Sequence, residues 1–309
     1  MQSTNTILMI RPINFRMNEQ TAVNNYFQED IAEKNTAIND KAQKEFDAFV
    51  NILRKNGVNV IVLEDTQESD TPDSIFPNNW ISFHEDGTVG IYPMFAENRR
   101  NERRDDVLDV VEKEGFRIKH IMDYTAAETE GFFLEATGSM ALDRVNKKAY
   151  CALSDRADEG LFIEFCEDFE YSPVIFTANQ SVDGKRMPVY HTNVMMCLAD
   201  HFAIICLDAI DDKKEKKSVI GHLKENGKEI ITISEGQMHH FAGNMLQVLA
   251  GDGTPVLVMS TQAYTSLAPE QIASIEKHCG IVHSSLETIE TCGGGSARCM
   301  MAEVFLPKA

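Results

Sequence analysis

The chain has no apolar run long enough to cross a membrane, and residues 1–11 are too short and too polar for a secretory signal. We therefore expect a cytoplasmic protein without a membrane partner. Basic residues are scarce, since 29 Lys and Arg stand against 48 Asp and Glu and give a formal net charge of −19. A surface this acidic repels phosphate backbones, so nucleic acid is not expected as a partner.

Paired cysteine spacing is also missing. The chain has 7 cysteines, an odd number, which fits a reduced compartment better than a disulfide framework. Those with apolar neighbours are predicted to lie in the core: Cys151, Cys166, Cys197, Cys206 and Cys279. The hydrophobic content of 43% and the charged content of 25% are those of a globular protein with a sizeable core.

One order of elements recurs along the chain: strand, turn, strand, helix, strand. In the first copy we predict strands at 75–85, 88–93 and 117–122 and a helix at 99–114. Three more copies are predicted at 132–177, 194–233 and 244–284, with first strands at 132–142, 194–198 and 244–249. Internal repetition of this kind indicates like units packed around an axis.

The two chain ends supply the pieces of one further unit. The N-terminal part has a predicted strand at 5–11, a helix at 29–56 and a strand at 58–63, and it lacks one strand. The lone C-terminal strand predicted at 300–306 completes it. A chain whose ends complete one unit closes a ring, so we predict a single domain spanning residues 1–309.

Three consecutive glycines, Gly293 to Gly295, stand near the end of the chain, and Cys299 follows them beside Arg298. Glycines allow backbone paths closed to other residues and let a ligand approach the main chain. Cysteine attacks as the thiolate, which nearby positive charge and backbone N–H groups favour, so the pattern is typical of a nucleophile. The alternative is a small buried residue that begins a C-terminal strand. The residues alone favour neither interpretation.

Four stretches occur in the order of the motifs of one enzyme superfamily. They read DSIFPNNW from residue 73, FLEATGSM from 133, HTN from 191 and GGGSARCMM from 293. From about Pro72 to its end the chain resembles the guanidino-group-modifying (arginine deiminase and amidinotransferase) superfamily, in particular its citrulline hydrolase branch. The resemblance implies an α/β fold of the pentein type, a five-bladed propeller of ββαβ units with pseudo-fivefold symmetry and an axial active site.

The catalytic candidates are Cys299, His191 and Glu135. A histidine near its normal pKa can take and return protons at neutral pH, although a lone histidine at a strand end often only bonds a backbone carbonyl. A carboxylate in an apolar strand needs a partner, which is a histidine, an arginine or a backbone amide. The resemblance implies that these residues form a Cys/His/acid set. It implies no cofactor and no metal, and Cys292 and His239-His240 show no zinc-ligand spacing.

The resemblance also implies a set of substrate-binding residues. Phe76 would stack on the planar group, and Asn79 and Asn193 would bond it, at positions where relatives that act on arginine usually have aspartate. A neutral ureido group is better matched by amides than a guanidinium is, so the change indicates citrulline. Without the resemblance, the asparagines would be read as turn residues.

The amino-acid end of the substrate needs charged partners. Arg99 and Arg156 resemble arginines that hold the α-carboxylate, and Asp73 could accept the α-ammonium; Arg100 and Arg298 are the substitutes. Together these residues predict a cytoplasmic hydrolase of arginine metabolism that converts citrulline to ornithine, ammonia and carbon dioxide through an S-carbamoyl-cysteine. The alternatives are arginine deimination, a dimethylarginine hydrolase activity and amidino transfer. A non-catalytic propeller that binds a macromolecule is less favoured, and the sequence leaves a homodimer open.

Overall fold

The computed structural model describes all residues from Met1 to Ala309. Its strands form five three-stranded sheets and one two-stranded sheet. In every three-stranded sheet the middle strand pairs antiparallel with one neighbour and parallel with the other. The fold is therefore a mixed α/β fold built from small sheets of one repeated topology, as the recurring element order predicts.

The N-terminal elements are β1 (Thr6–Arg11), α1 (Asn35–Lys55) and β2 (Asn59–Glu64). The first repeat follows with β3 (Ile81–Phe83), β4 (Thr88–Ile91), α2 (Asp106–Lys113) and β5 (His120–Asp123). The next has α3 (Ala136–Ser139), β6 (Met140–Asp143), β7 (Lys148–Leu153), α4 (Glu159–Asp168) and β8 (Ser172–Thr177), and a hairpin of β9 (Asn179–Val182) and β10 (Lys185–Pro188) comes after it.

The second half continues the pattern. One repeat has α5 (Thr192–Met195), β11 (Met196–Leu198), β12 (Phe202–Ile205), α6 (Lys213–Glu225) and β13 (Glu229–Thr232). The next has α7 (Glu235–His239), β14 (Leu246–Leu249), β15 (Pro255–Ser260), α8 (Thr261–Ser266), α9 (Pro269–Glu276) and β16 (Gly280–Ser284). The chain ends with α10 (Glu287–Gly293) and β17 (Ala302–Glu303).

The first strand of each repeat is shorter than predicted. The predicted strand 75–85 contains only β3, because Pro77 fixes its own φ, donates no N–H and begins a 3₁₀ turn at Pro77–Asn79. The predicted strands 132–142 and 194–198 likewise begin late, after the short helices α3 and α5.

Two predicted helices and the last strand also need correction. Helix 99–114 divides into a 3₁₀ turn at Glu97–Glu102 and α2, and helix 29–56 begins only at Asn35. Before that point the backbone N–H of Glu29 bonds the carbonyl of Thr291 and holds the chain in a loop. The predicted strand 300–306 is reduced to β17.

The two ends of the chain meet in one sheet, as predicted. Strand β1 pairs antiparallel with β17, with Leu8 opposite Ala302, and parallel with β2. This sheet fixes the segment just after Cys299 against the N-terminal strand. Buried apolar residues form four clusters, and the five cysteines predicted to be core residues are all buried. None of the helices combines the length and the apolar character that a membrane span requires.

Candidate active site

Residues from six separate parts of the chain line one small cavity, and most of them are buried. Of the nine predicted site residues, seven line it: Asp73, Phe76, Asn79, Arg99, Arg156, His191 and Cys299. The other two, Glu135 and Asn193, each bond one of these seven. The short turns that precede β3, β6 and β11, together with the turn before β17, carry most of these side chains, so the irregular segments position the site.

His191 and Glu135 form a buried pair. The imidazole Nε2 lies 2.7 Å from Oε2 of Glu135, and both side chains are inaccessible to solvent. Oε1 of Glu135 accepts the backbone N–H of Phe95 at 3.0 Å, which fixes the carboxylate. Burial lowers the pKa of His191 to about 4, although Glu135 opposes the shift. The histidine is therefore neutral at pH 7. An imidazole with its ordinary pKa of 6.5 would still be protonated in a fraction of the molecules at that pH.

Glu135 keeps its negative charge. Burial by itself would raise its pKa, but Arg156, the hydrogen bond with His191 and Arg99 outweigh burial and lower the pKa to about 2. The guanidinium nitrogens of Arg156 and Arg99 lie 3.6 and 3.8 Å from Oε2. A neutral imidazole beside an ionised carboxylate can accept a proton and then be stabilised as imidazolium.

Cys299 lies in the turn before β17 and is 2% exposed. Two side-chain amides point at its sulfur: Nδ2 of Asn193 at 3.5 Å and Nδ2 of Asn244 at 3.2 Å. No hydrogen bond joins the sulfur to His191, which faces it across the same cavity. The thiol is thus a cavity-lining group held by amide donors.

Each glycine of the triple-glycine segment lies where an added Cβ would come too close to a neighbouring side chain. A Cβ on Gly293 or Gly295 would lie 2.8 or 2.9 Å from Cζ of Phe76, so the ring packs directly on this backbone. Gly294 has φ +61° and leaves no room for a side chain next to Asn25. Gly293 and Gly295 therefore let the ring of Phe76 pack against the loop that leads to Cys299.

Asn79 and Arg99 are bonded to each other. Nη1 of Arg99 donates to Oδ1 of Asn79 at 2.9 Å, while Nε and Nη2 bind the two carboxylate oxygens of Glu102 at 2.9 Å each. The guanidinium of Arg99, which the sequence predicts to hold the α-carboxylate, is thus bonded to Asn79 and Glu102. Nδ2 of Asn79 and the imidazole of His191 both crowd Gly138, where a Cβ would lie 2.3 and 2.8 Å from them.

A loop between β1 and α1 lies over the cavity, and its polar groups bond two charged side chains of the site, Arg156 and Asp73. Nε and Nη2 of Arg156 donate to Oδ1 of Asn24, and Nη2 also donates to the carbonyl of Thr21 at 3.0 Å. Asn18 and Thr21 donate to Oδ2 of Asp73, whose Oδ1 is buried without a partner. Arg156 and Asp73 therefore present groups that a bound molecule could engage in place of the loop.

The competing candidates have other contacts. The ring of His239 stacks on Phe27 at 5.2 Å, and Nδ1 of His240 lies 2.8 Å from the carbonyl of Gly236. Arg298 donates to the carbonyl of Met301 and to Glu303, and Arg100 donates to the carbonyl of Met94. None of them lines the cavity. The structure contains no group of three or more metal-ligating side chains.

Sequence reasoning missed several residues of the site. Asn244 contacts the sulfur, Tyr190 lines the cavity and donates to the carbonyl of Gly294 at 2.5 Å, and Asn24 binds Arg156. The repeat itself holds the signal for Asn244, because Gly243-Asn244 stands just before β14 as Arg298-Cys299 stands just before β17. The loop residues carry no comparable signal.

Residues 11–306 match the model of a family described as "N,N dimethylarginine dimethylhydrolase, eukaryotic". No curated protein matches the sequence. The cyanobacterial protein ArgZ, described as an arginine dihydrolase of the ornithine-ammonia cycle, has a similar structure, with a TM-score of 0.75 at 14% identity over 98% of this chain. The chain spans only 41% of ArgZ.

Two further solved structures match over almost their whole length. The substrate-bound N-terminal domain of ArgZ gives a TM-score of 0.70 at 15% identity, covering 97% of this chain and 99% of that one. A dimethylarginine dimethylaminohydrolase variant, in an adduct with S-methyl-L-thiocitrulline, gives 0.63 at 13% identity with coverage of 97% and 99%. At such identities the likeness establishes the fold alone.

Proposed function

We propose that this chain, which belongs to the N,N dimethylarginine dimethylhydrolase family and so to the pentein superfamily of guanidino-modifying enzymes, is a cysteine-dependent hydrolase of citrulline. The supporting observation is that Cys299, His191 and Asn79 line one small cavity while Glu135 bonds Nε2 of the histidine. These are the parts that nucleophilic attack on a planar carbon with a nitrogen leaving group requires. The fold alone would not assign the reaction.

The proposal includes the arrangement of the five sheets. We take them to be the blades of a five-bladed α/β propeller formed by one domain, residues 1–309. Support comes from their common strand order and from the pairing of β17 with β1, which joins the last unit to the first. In this arrangement the turns before β3, β6, β11, β14 and β17 face the axis, which explains why such distant residues share one cavity.

The first half of the reaction forms a covalent intermediate. Neutral His191 takes the thiol proton of Cys299, and the sulfur adds to the ureido carbon. The imidazolium, stabilised by Glu135, gives this proton to the δ-nitrogen as the carbon–nitrogen bond breaks. Ornithine leaves, and the carbamoyl group remains on the sulfur.

The second half releases this group. His191, neutral again, takes a proton from water while the oxygen adds to the carbamoyl carbon. The carbon–sulfur bond then breaks, the sulfur recovers the proton, and carbamic acid departs and decays to ammonia and carbon dioxide. No cofactor is needed, because every proton and electron pair is supplied by the cysteine, the histidine and water.

The amino-acid end of the substrate would bind where the loop now binds. The α-carboxylate would replace Asn24 and Thr21 on Arg156, and the α-ammonium would meet the unpartnered Oδ1 of Asp73. Arg99, held by Glu102, would orient Asn79 against the ureido group, while Phe76 would stack on that group. An arginine–carboxylate contact in a buried site favours a free amino acid over a peptide.

The choice of citrulline rests on the groups nearest the sulfur. Asn79 lines the cavity, and the amide of Asn193 contacts Sγ. Of the carboxylates at the site, Glu135 is already bound to His191 and lies within 4 Å of two arginines, and Asp73 is the proposed partner of the α-ammonium. A guanidinium is a cation and needs a free carboxylate, whereas a neutral ureido group offers a carbonyl and N–H groups that amides match.

A second candidate is hydrolysis of arginine or a methylated arginine. The family match and the likeness to an arginine dihydrolase favour it. The same cysteine would then attack a guanidinium carbon, and the first leaving group would be ammonia or a methylamine.

A substrate panel separates the two candidates. Ornithine, citrulline and ammonia release would be measured with citrulline, arginine, methylated arginines and agmatine. We expect ornithine from citrulline, and no turnover after Cys299→Ala. Turnover of arginine far above citrulline would refute the substrate and leave the mechanism standing, whereas a fully active Cys299→Ala variant would refute the mechanism.

A further inference from the structure

Asn244 makes a contact that neither the motifs nor the proposed reaction explains. Its Nδ2 lies 3.2 Å from Sγ of Cys299, nearer than the amide of Asn193 at 3.5 Å. The side chain is completely buried and comes from another repeat, 55 residues before the cysteine. A buried amide donor directed at a sulfur atom is a favourable partner for a thiolate, because hydrogen bonds to charged acceptors are the stronger ones.

The surroundings of Asn244 fix the direction of its amide. Oδ1 accepts the backbone N–H of Arg298 at 3.0 Å, so the NH₂ group must be the end that faces the sulfur. Nδ2 also donates to the carbonyl of Asn193 at 3.0 Å. One amide thus joins the segment that carries Cys299 to the segment that carries Asn193.

Close backbone packing just before Asn244 restricts movement of this side chain away from the sulfur of Cys299. A Cβ on Gly243 would lie 2.4 Å from the carbonyl oxygen of Val194 and 2.7 Å from the carbonyl carbon of Met195. The two segments are therefore in direct backbone contact, which only glycine permits. Close packing of this kind holds Asn244 at one distance from the sulfur.

We propose that Asn244 is a positioning residue that holds the sulfur of Cys299 and stabilises its thiolate by donating an N–H hydrogen bond. The role rests on the proposed function only in taking Cys299 as the nucleophile. A purely structural Asn244 would join Arg298 to Asn193 and leave thiol reactivity unchanged. The two roles therefore differ in a quantity that needs no substrate.

The test is the pH dependence of alkylation of Cys299 by iodoacetamide, in which the thiolate displaces iodide. Mass spectrometry of the peptide that contains Cys299 gives the rate in wild type, Asn244→Ala and Asn244→Ser. We expect the midpoint of the rate profile to move upward by about one to two pH units in Asn244→Ala, the loss of one hydrogen bond to a charged acceptor. Asn59→Ala, at an exposed position of β2, should leave the midpoint unchanged.

Two buried cysteines report the integrity of the fold in the same experiment. Cys197 and Cys206 are buried in one apolar cluster and do not line the active-site cavity, whereas Cys299 lines it, so the first two should stay unmodified in every folded variant. An unchanged Cys299 midpoint with both of these protected would overturn the proposal. If both Asn244 variants expose Cys197, the residue serves folding and the proposal also fails.

Turnover provides the second readout. With whichever substrate the panel identifies, kcat should fall at least tenfold in Asn244→Ala while KM stays within about twofold, because the contact is to the nucleophile. A midpoint shift in a protein that turns over none of the tested substrates would support the role of Asn244 and refute the proposed function instead. A rise in KM alone would contradict the proposal.

Discussion

The proposed reaction depends most directly on the charge state of His191, because only its neutral imidazole can act as the general base. Burial lowers its pKa to about 4, so protonation removes the general base only in strong acid. We therefore expect kcat/KM to fall as the pH decreases through about 4, and to stay level near 6.5, where an ordinary histidine titrates. Initial rates between about pH 3.5 and 8, with tryptophan fluorescence as a check that the protein is folded, measure this. An acid limb centred between 6 and 7 would contradict it.

Replacing Glu135 by glutamine removes the negative charge beside His191 and keeps a side chain of nearly the same size and shape. Glu135 raises the pKa of His191 against burial, so its neutralisation should move the acid limb further down. The imidazolium formed during attack would also lose its ionised partner, and we expect kcat to fall by about 10²–10⁴-fold. A kcat within twofold of wild type would show that the pair is structural.

Gly295 gives a prediction for substrate binding. An added Cβ would lie 2.9 Å from Cζ of Phe76, so Gly295→Ala must displace the ring towards the cavity. We expect KM to rise at least tenfold in steady-state kinetics. Gly221→Ala is the matched control, because Gly221 in α6 has open space around it and should keep the wild-type KM. Equal KM values for the two variants would refute a role of Phe76 in binding.

Individual site residues could be predicted where a short motif fixed them, and their partners could not. Phe76, Asn79 and His191 stand in such motifs and do line the cavity. The partner that occupies the fork of Arg99 is Glu102, in a stretch without a motif, and only the 3₁₀ turn at 97–102 brings the two together. Hydrogen-bond partners depend on local backbone geometry, which composition and periodicity do not encode.

Helix α10 carries a buried acid that supports the glycine segment. Ser296 donates to Oε1 of Glu290 at 2.5 Å, and burial raises the pKa of Glu290 from its ordinary 4.5 to about 7. The folded state therefore binds one proton more than the unfolded state between these values, so stability falls as the pH rises from about 4.5 to 7. The contribution is ~3 kcal/mol.

The variant Glu290→Gln should remove this loss, because the amide mimics the protonated acid. We expect the free energy of unfolding of the variant, relative to wild type, to rise by ~3 kcal/mol between pH 4.5 and 7.5. Urea denaturation at both pH values measures it. Glu287→Gln, exposed on the same helix, should show no such difference. Parallel pH profiles for wild type and Glu290→Gln would contradict the prediction.

Element types were predictable from periodicity, and the short turns that carry the site were not. Residues 132–142 are rich in apolar side chains, which favours a strand. The hydroxyls of Ser139 and Thr192, however, donate to the backbone carbonyls of Arg156 and Ser139, respectively, and so favour the turns α3 and α5. The sequence analysis does not predict the hairpin β9–β10. Its signal is the dipeptide Asp183-Gly184, which is typical of a tight turn and has positive φ values at both residues. The loop over the cavity has no hydrophobic period, so sequence alone leaves its position open.

At the scale of the whole molecule, pairing between the chain ends links the stability of the fold to the position of Cys299. Leu8 in β1 is completely buried opposite Ala302, which follows Cys299 by three residues. The turn that carries Cys299 is thus held from outside by an element that is almost the whole chain away in sequence. A loss of packing at this sheet should reach the active site directly, whereas a similar loss at an outer helix should not.

Leu8→Ala and Leu223→Ala test this difference as a matched pair. Both leucines are completely buried, but Leu223 lies in α6 and packs in a cluster that contains neither Cys299 nor β1. Each truncation should lower the free energy of unfolding by about 2–5 kcal/mol, as measured by urea denaturation. Only Leu8→Ala should also lower kcat, by at least tenfold at a temperature where both variants are folded, because β17 can shift and move the sulfur away from His191. Equal kcat values in the two variants would mean that closure of this sheet stabilises the fold without positioning the nucleophile.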